Sequence, residues 1–576
     1  LKESENENNK SKLMSENTIF SALKHQSTKE QKFKVGVFLV LVTVLTYIIV
    51  PECLAEVAVY SSPGNLANID HLKQSQDYTV TVNGQQSFVY ETDNNCFETG
   101  KRYQDRIAFT SFDFRNETVT IEITCNFAVN SVLIRPKSDS VAFTLTGNKI
   151  TFSLNASKYL KVHINDGKKP IYIFADESEA PETSARYYFG PGIHVIGTKY
   201  PVDANSTVYI AGGAVVEGTL LLKGPNIKIR GRGILTSGYL EWTDWNKGDH
   251  SIAMLLDDPS YSGNFNNHEY SGIIMLNSPG WFCNGYGKYK KLLNLKAIGW
   301  VRNSDFPHLN GDGLAKHCFV FNNDDQLITN TGNNNVYQDC VIDKGPYGRS
   351  IVSLNNNNQD TNLWEDIDII ADEQSNGKFG SIAIIESTGV YKRNYTYRNI
   401  RIEDGVSINQ PLLYINANNL NVSNFTIENV YTETVHTKAS SINTSNGGTV
   451  NNVVFRCIKV GSVYKTSLDD ANIIWNGTGI TGITFETGVN CNPTQVSEIT
   501  LDQTSFVMFP NPASDNVQIG FNDQTLLNVS LFDISGKLII SQPDEKLHLA
   551  ALSPGLYFVK VNSGKQSYTG KLLVHR

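Results

Sequence analysis

Between residues 186 and 490 short apolar runs recur roughly every 20–35 residues, each broken by Asn, Gly or Asp. STVYIAGGAVVEG, NIKIRGRGIL, SGIIMLNS, KLLNLKAIG, HCFVFNND, VYQDCVIDK, WEDIDIIAD, YRNIRIEDG and VSNFTIENV all have this form. A unit of this length holds one or more strands but cannot bury its apolar face alone, so successive units must stack and share a core. The recurring Asn suits polar ladders at the turns, one rung per coil. The pattern predicts a right-handed parallel β-helix over 186–490.

The rest of the 576 residues is also all-β in pattern. Residues 56–180 alternate in strand fashion, as in YTVTVNG, VTIEITC and PIYIFAD, with turn signals between. Short strands at this spacing predict an N-terminal β-sandwich with a supporting role. A polar, Pro-containing linker, ADESEAPETSARYYFGPG, leads from it into the solenoid. The net charge of −8 argues against nucleic acid as a partner, because phosphate binding needs a basic face. Residues 14–55 read as a signal peptide. Lys29, Lys32 and Lys34 precede sixteen largely apolar residues, Val35 to Val50, with small residues for cleavage after Ala55. An uncleaved membrane anchor is the alternative. Eight cysteines include no C-x-x-C pair. Cys318 and Cys340 suit a buried stack first and a disulfide second. No metal site and no cofactor are expected; His308 and His317 lack a third ligand. A monomer is expected.

The stretch Val301 to Leu327 concentrates carboxylates: Asp305, Asp312, Asp324 and Asp325. In a solenoid, residues one coil apart share a face. Asp305 to Asp324 is 19 residues and Asp324 to Asp343 is 19 again, so these are expected to stack. Asp312 lies in Asn-Gly-Asp-Gly, a strong turn former, and is expected around a corner. On a regular strand Asp324 and Asp325 would point to opposite faces, which would drive one into the core. A strand end or bulge lets both face a groove. Clustered carboxylates raise one another's pKa, which supplies the proton donor and the ionised base that glycoside hydrolysis needs. Spacing alone leaves a solvated Asp/Asn ladder and a calcium site open as well.

NSDFPHLNGDGLAKHCFVFNNDDQL resembles the active-site stretch of glycoside hydrolase family 49, the dextranases and isopullulanases. Asn303-Ser304-Asp305 matches that family's first Asp motif and Asn323-Asp324-Asp325 its two-Asp motif. The resemblance implies inverting hydrolysis inside an α-glucan such as dextran. Asp324 would be the general acid, and Asp305 and Asp325 would activate water. Ile328 stands where the family tends to have a basic residue, and Phe306 where Gly is usual. GPYGRSIVSL also resembles the Gly-His-Gly segment of the family 28 polygalacturonases, with Tyr347 in place of the His. No Arg-x-Lys pair follows it, which favours a neutral sugar. A non-catalytic glycan-binding β-helix and a lyase are the other readings.

Sugar rings stack on aromatic faces. Trp281 and Trp300, from the coils before the aspartates, are the expected subsite aromatics, with Tyr347 and Arg349 as further substrate contacts. The tail, 504–576, carries FPNPASDNVQIGF, VSLFDISGKLI and LSPGLYFVKV. It resembles the C-terminal sorting domain of the type IX secretion system of Bacteroidetes. That implies the secretion machinery as a partner, beside the polysaccharide, and a secreted or cell-surface destination.

Overall fold

The computed structural model describes residues 57–93, 106–165, 167, 169–242, 253–285, 287–372, 380–385, 387–403, 411–486 and 491. In the tail it describes 507–509, 516–520, 528–533, 537–543, 546–550, 552–563 and 566–574. The expected signal peptide, 14–55, lies outside the described residues. Those up to Glu486 form one compact unit and those beyond it a second.

The N-terminal part of the first unit is a β-sandwich of a seven-stranded and a five-stranded sheet. Val119–Cys125 shows why it forms. Val119, Ile121, Ile123 and Cys125 are buried while Thr120 and Thr124 face out, the period-two pattern of a half-covered strand. Ile171–Glu177 differs, because it is buried on both faces. Ile171, Ile173 and Ala175 fill the sandwich core, and Tyr172 and Phe174 face the other way.

That other way is the solenoid. From Tyr187–Phe189 to Ile480–Glu486 the chain winds in coils, three strands in a coil such as Lys291–Leu293, Lys296–Ile298 and Phe306–Leu309. One sheet of 23 strands, parallel except at the short Val463–Tyr464 strand, forms two sides. A sheet of seven, starting at Phe306–Leu309, forms the third. Stacked partners lie 22 residues apart at Ile274 and Lys296 and 33 apart at Asp368 and Arg401, so the coils are unequal in length. The interior is one continuous apolar cluster, with a stacked run of Tyr337, Trp364 and Tyr397 along it. Cys318 and Cys340 are buried free thiols in this core.

At the turns, Asn residues adopt the left-handed conformation that their short side chains tolerate. Each donates its side-chain amide to the coil before. Asn394 donates to Asp360 at 2.6 Å, Asn424 to Asn394 at 2.9 Å, and Asn452 to Asn424 at 2.9 Å. Asp312 belongs to this ladder. Its φ is +51°, it is exposed, and it accepts from Asn334 at 2.8 Å.

Sandwich and solenoid are not two self-sufficient bodies. Phe109, Tyr172 and Phe174 pack directly on Ile298, Trp300, Phe319 and Phe321. Among the described residues, the buried ion pairs that cross the seam include Arg135–Glu403 and three more: Arg232–Asp113 at 2.9 Å, Lys296–Asp176 at 2.8 Å and Lys161–Asp343 at 2.5 Å. Tyr172 adds a hydrogen bond to Asp343 at 2.7 Å. The second unit has its own core, with Val517, Ile519, Val529, Leu531, Val559 and Val561 at its centre.

Breaking a buried ion pair by removing one partner costs about 3–5 kcal/mol, and deleting the sandwich would strand a charge from each of these. A chain of residues 186–495 is therefore expected to be insoluble, whereas residues 57–495 fold and melt in one cooperative transition. Soluble yield and circular dichroism melting of the two chains check this; a folded 186–495 chain would mean the seam is dispensable.

Candidate active site

Three successive corners, each joining the long sheet to the seven-stranded one, build the site. The first lies between Lys296–Ile298 and Phe306–Leu309 and holds Asp305. The second lies between Phe319–Asn322 and Gln326–Thr329 and holds Asp324 and Asp325. The third lies between Val336–Lys344 and Ile351–Ser353 and holds Tyr347 and Arg349. Corners are where residues leave the strand alternation. This is how adjacent Asp324 and Asp325 both avoid an unpaired place in the core.

The register differs from the one that 19-residue spacing suggests. Phe306 pairs with Gln326 and Ile328 with Val352, which puts Asp305 over Asp325 and Asp325 over Arg349. The amide of Phe306 donates to the Asp325 carbonyl at 3.1 Å, and that of Gln326 to the Arg349 carbonyl at 2.8 Å. Asp343 stacks on Phe321 instead and is spent in the seam on Lys161. The second interval of 19 was a coincidence of unequal coils.

Each aspartate has its own surroundings. Asp324 is partly exposed, and its carboxylate accepts from the backbone amides of Asn303 and Asp325, both at 2.9 Å. Asp325 is 5% exposed and takes the Arg349 guanidinium at 3.0 and 2.8 Å, plus the Arg349 amide at 2.8 Å. Burial still pushes its carboxyl up to about 6, against the pull of Arg349. The Asp305 side chain is 14% exposed. Burial, then the charges of Asp324 and Asp325, raise it well above the usual carboxylate range, against a smaller opposing pull from the Trp281 indole. Burial and mutual repulsion thus favour a proton within the trio.

Beneath the trio lies a polar scaffold that motif reading passed over. Asn323 donates from its side chain to the Trp300 carbonyl at 2.9 Å and from its backbone amide to Ser304 Oγ at 3.1 Å. Asn322 donates to the Ser304 carbonyl at 2.5 Å and accepts from Gln326 at 2.6 Å. Gly348, at φ +66°, explains the spacing of GPYG. A Cβ there would lie 2.4 Å from the Asp324 carbonyl carbon and from the Asp325 amide nitrogen, so only glycine lets the third corner nest under the aspartates.

The other expected contacts separate. Trp281 is partly exposed, with its ring 5.7 Å from that of His308 and its indole against Asp305. Tyr347 is partly exposed and carries the Arg302 guanidinium 4.2 Å above its ring, with Arg302 donating to its hydroxyl at 2.9 Å. Trp300 is no subsite: it is fully buried in the seam against Phe321, because its position pairs with the sandwich face rather than the groove. Arg349 is no free anion contact either, since Asp325 occupies its guanidinium. His317 sits in a turn ladder with Asp339 at 2.7 Å. Phe306 and Ile328, the two departures from the family pattern, are both buried apolar anchors flanking the corners.

The tail matches the family model for the secretion system C-terminal sorting domain over residues 507–575, which marks this as an exported protein, secreted or at the cell surface. No curated protein matches the chain. Among solved structures, a Yersinia enterocolitica family 28 exopolygalacturonase is 9% identical, covering 64% of this chain and 97% of that one at a TM-score of 0.29. The catalytic unit of a GH87 α-1,3-glucanase from Streptomyces thermodiastaticus is 10% identical, covering 74% and 86% at 0.27. The A-module of an Azotobacter vinelandii mannuronan C-5 epimerase is 10% identical, covering 51% and 91% at 0.22. Likenesses this slight carry nothing about activity.

If Arg349 serves Asp325, its loss is felt in folding. Arg349→Ala is expected to cost about 3–5 kcal/mol by leaving a buried carboxylate uncompensated, and adding Asp325→Ala should recover a good part of it. Urea denaturation of the single and double variants reads this. A stable Arg349→Ala protein with weakened substrate binding alone would return Arg349 to the list of substrate contacts.

Proposed function

We propose that this chain is an exported endo-hydrolase of a polysaccharide, working by inversion on an α-glucan such as dextran. The observation that carries the reading is the trio of carboxylates on two stacked corners, one raised by burial and by its two neighbours. Two carboxyl groups whose surroundings hold them in different protonation states are what glycoside cleavage needs. Asp305 holds the proton and is assigned the general acid, giving it to the leaving glycosidic oxygen. Asp324, more exposed and fixed by two amides, takes a proton from the attacking water. Asp325, locked by Arg349, is a positioning residue that keeps Asp305 protonated. This exchanges the roles of Asp305 and Asp324 that the family resemblance implies. A neutral substrate is supported by the state of the nearby cations. Arg349 is engaged by Asp325, Lys344 donates to the Gly345 carbonyl at 2.7 Å, and Arg302 lies on Tyr347.

Purified protein should shorten dextran, with product sizing showing internal cuts and proton NMR showing the β-anomer first. Asp305→Asn and Asp324→Asn should each lower turnover about 10²–10⁴-fold, while Asp312→Asn stays near normal. An aryl glycoside with a good leaving group needs no acid, so it should rescue Asp305→Asn and leave Asp324→Asn dead. The opposite pattern would restore the family's assignment. Polygalacturonate cleaved in preference to dextran would overturn the substrate.

The same carboxyl predicts a pH effect on stability. A folded-state pKa raised above the unfolded value near 4 contributes stability that is present at low pH and lost as pH rises. Relative to the native protein, Asp305→Asn should therefore gain melting temperature as pH climbs from 4 to 8. A constant difference across that range would place no proton on Asp305.

A further inference from the structure

The carboxylate that remains once Asp305 has given up its proton needs a hydrogen-bond donor, and the structure holds an unspent one. His308 lies three residues on, 7% exposed, on the strand Phe306–Leu309. Its Nε2 is 3.8 Å from Asp305 Oδ2 and is a buried nitrogen without a hydrogen-bond partner among the described residues. A buried polar atom left unmatched costs free energy, so its retention here asks for a use. Neighbouring coils set the ring's position. Trp281 packs on one side at 5.7 Å between ring centroids. His308 itself stacks in register on Ile328, an apolar anchor that offers no hydrogen bond.

Resting on the proposed hydrolase reading, we propose that His308 is the positioning partner of Asp305, its Nε2–H closing the 3.8 Å gap to a hydrogen bond as negative charge develops on that carboxylate. At 3.8 Å the separation is too long for a hydrogen bond, and contacts of this kind shorten in the transition state. Such a donor acts on the transition state more than on the ground state, because the carboxyl it serves is neutral until the proton leaves. Neutrality of the ring is what the role requires. An imidazolium would favour ionised Asp305 in the resting site and waste the proton. Burial and the Lys290 ammonium hold the ring's pKa down to about 3. The groups facing Asp305 are Asp324, Asp325, Arg349, Trp281 and His308, and Lys290 acts on His308.

Two measurements test this, one independent of any substrate. His308→Leu should lower kcat on the cleaved polysaccharide about 10- to 100-fold, with KM unchanged and the alkaline limb of the pH profile moved upward. His308→Gln, which keeps a donor, should recover most of the rate. In the free protein, the protonated-carboxyl infrared band that Asp305→Asn removes should persist to higher pH in His308→Leu. If His308→Leu changes only the melting temperature, or the Asp305 band titrates as in the native protein, the proposal fails. Should no polysaccharide be cleaved at all, the infrared titration still decides whether His308 acts on Asp305.

Discussion

Everything placed on this molecule depends on the backbone hydrogen bonds that join each coil to the next. Because the strands are parallel and in register, a residue at a corner has a fixed neighbour one coil above and one below. Asp305, Asp325 and Arg349 are brought together by nothing more specific than this. Loops between coils can vary in length without disturbing the column, since the strands on either side set it. The consequence is a site made of residues 20 to 24 apart in sequence yet held as firmly as strand partners.

The same constraint explains which parts of the fold and the site could be read from sequence. The recurrence of apolar runs and of Asn at turns reports stacking directly, so the solenoid was legible, as were the corner positions of Asp324 and Asp325 and the turn role of Asp312. Which residue stacks on which was not. Spacing counts only if coils are equal, and here the interval between stacked partners ranges from 19 at Val215 to 41 at Lys228. Asp343 fell in line with Asp324 by number and lies in the seam by geometry. Gly348 was the missed cue: a glycine at a place where a Cβ would lie 2.4 Å from the Asp325 amide nitrogen fixes the third corner against the second.

Trp300 shows a second limit. Aromatic residues near a groove look alike in sequence whether they face a ligand or a neighbouring domain. What separates them is the partner surface, and that surface is 128 and 126 residues back in the sequence, at Tyr172 and Phe174. A hint was available in PIYIFAD. A strand apolar at every position, not every second one, is covered on both faces. A sandwich sheet of that kind requires something apolar outside the sandwich, and the solenoid coils bearing Ile298, Trp300 and Phe321 are what supply it.

The seam and the site are linked through this one stretch of chain. Trp300 and Phe321 anchor their coils on the sandwich, and the corners that follow, Val301 to Asp305 and Asn322 to Asp325, are the ones carrying the carboxylates. Asn323 ties the two together, reaching the Trp300 carbonyl with its side chain while its backbone amide donates to Ser304 Oγ. Asp305 is held away from water and close to two other carboxylates, which raises its pKa and costs stability. The anchorage is what makes that cost bearable: residues at a free solenoid corner would relax outward and solvate. On this view the sandwich is less an accessory than the wall against which the acidic corners are set, and its buried ion pairs serve the groove without touching it.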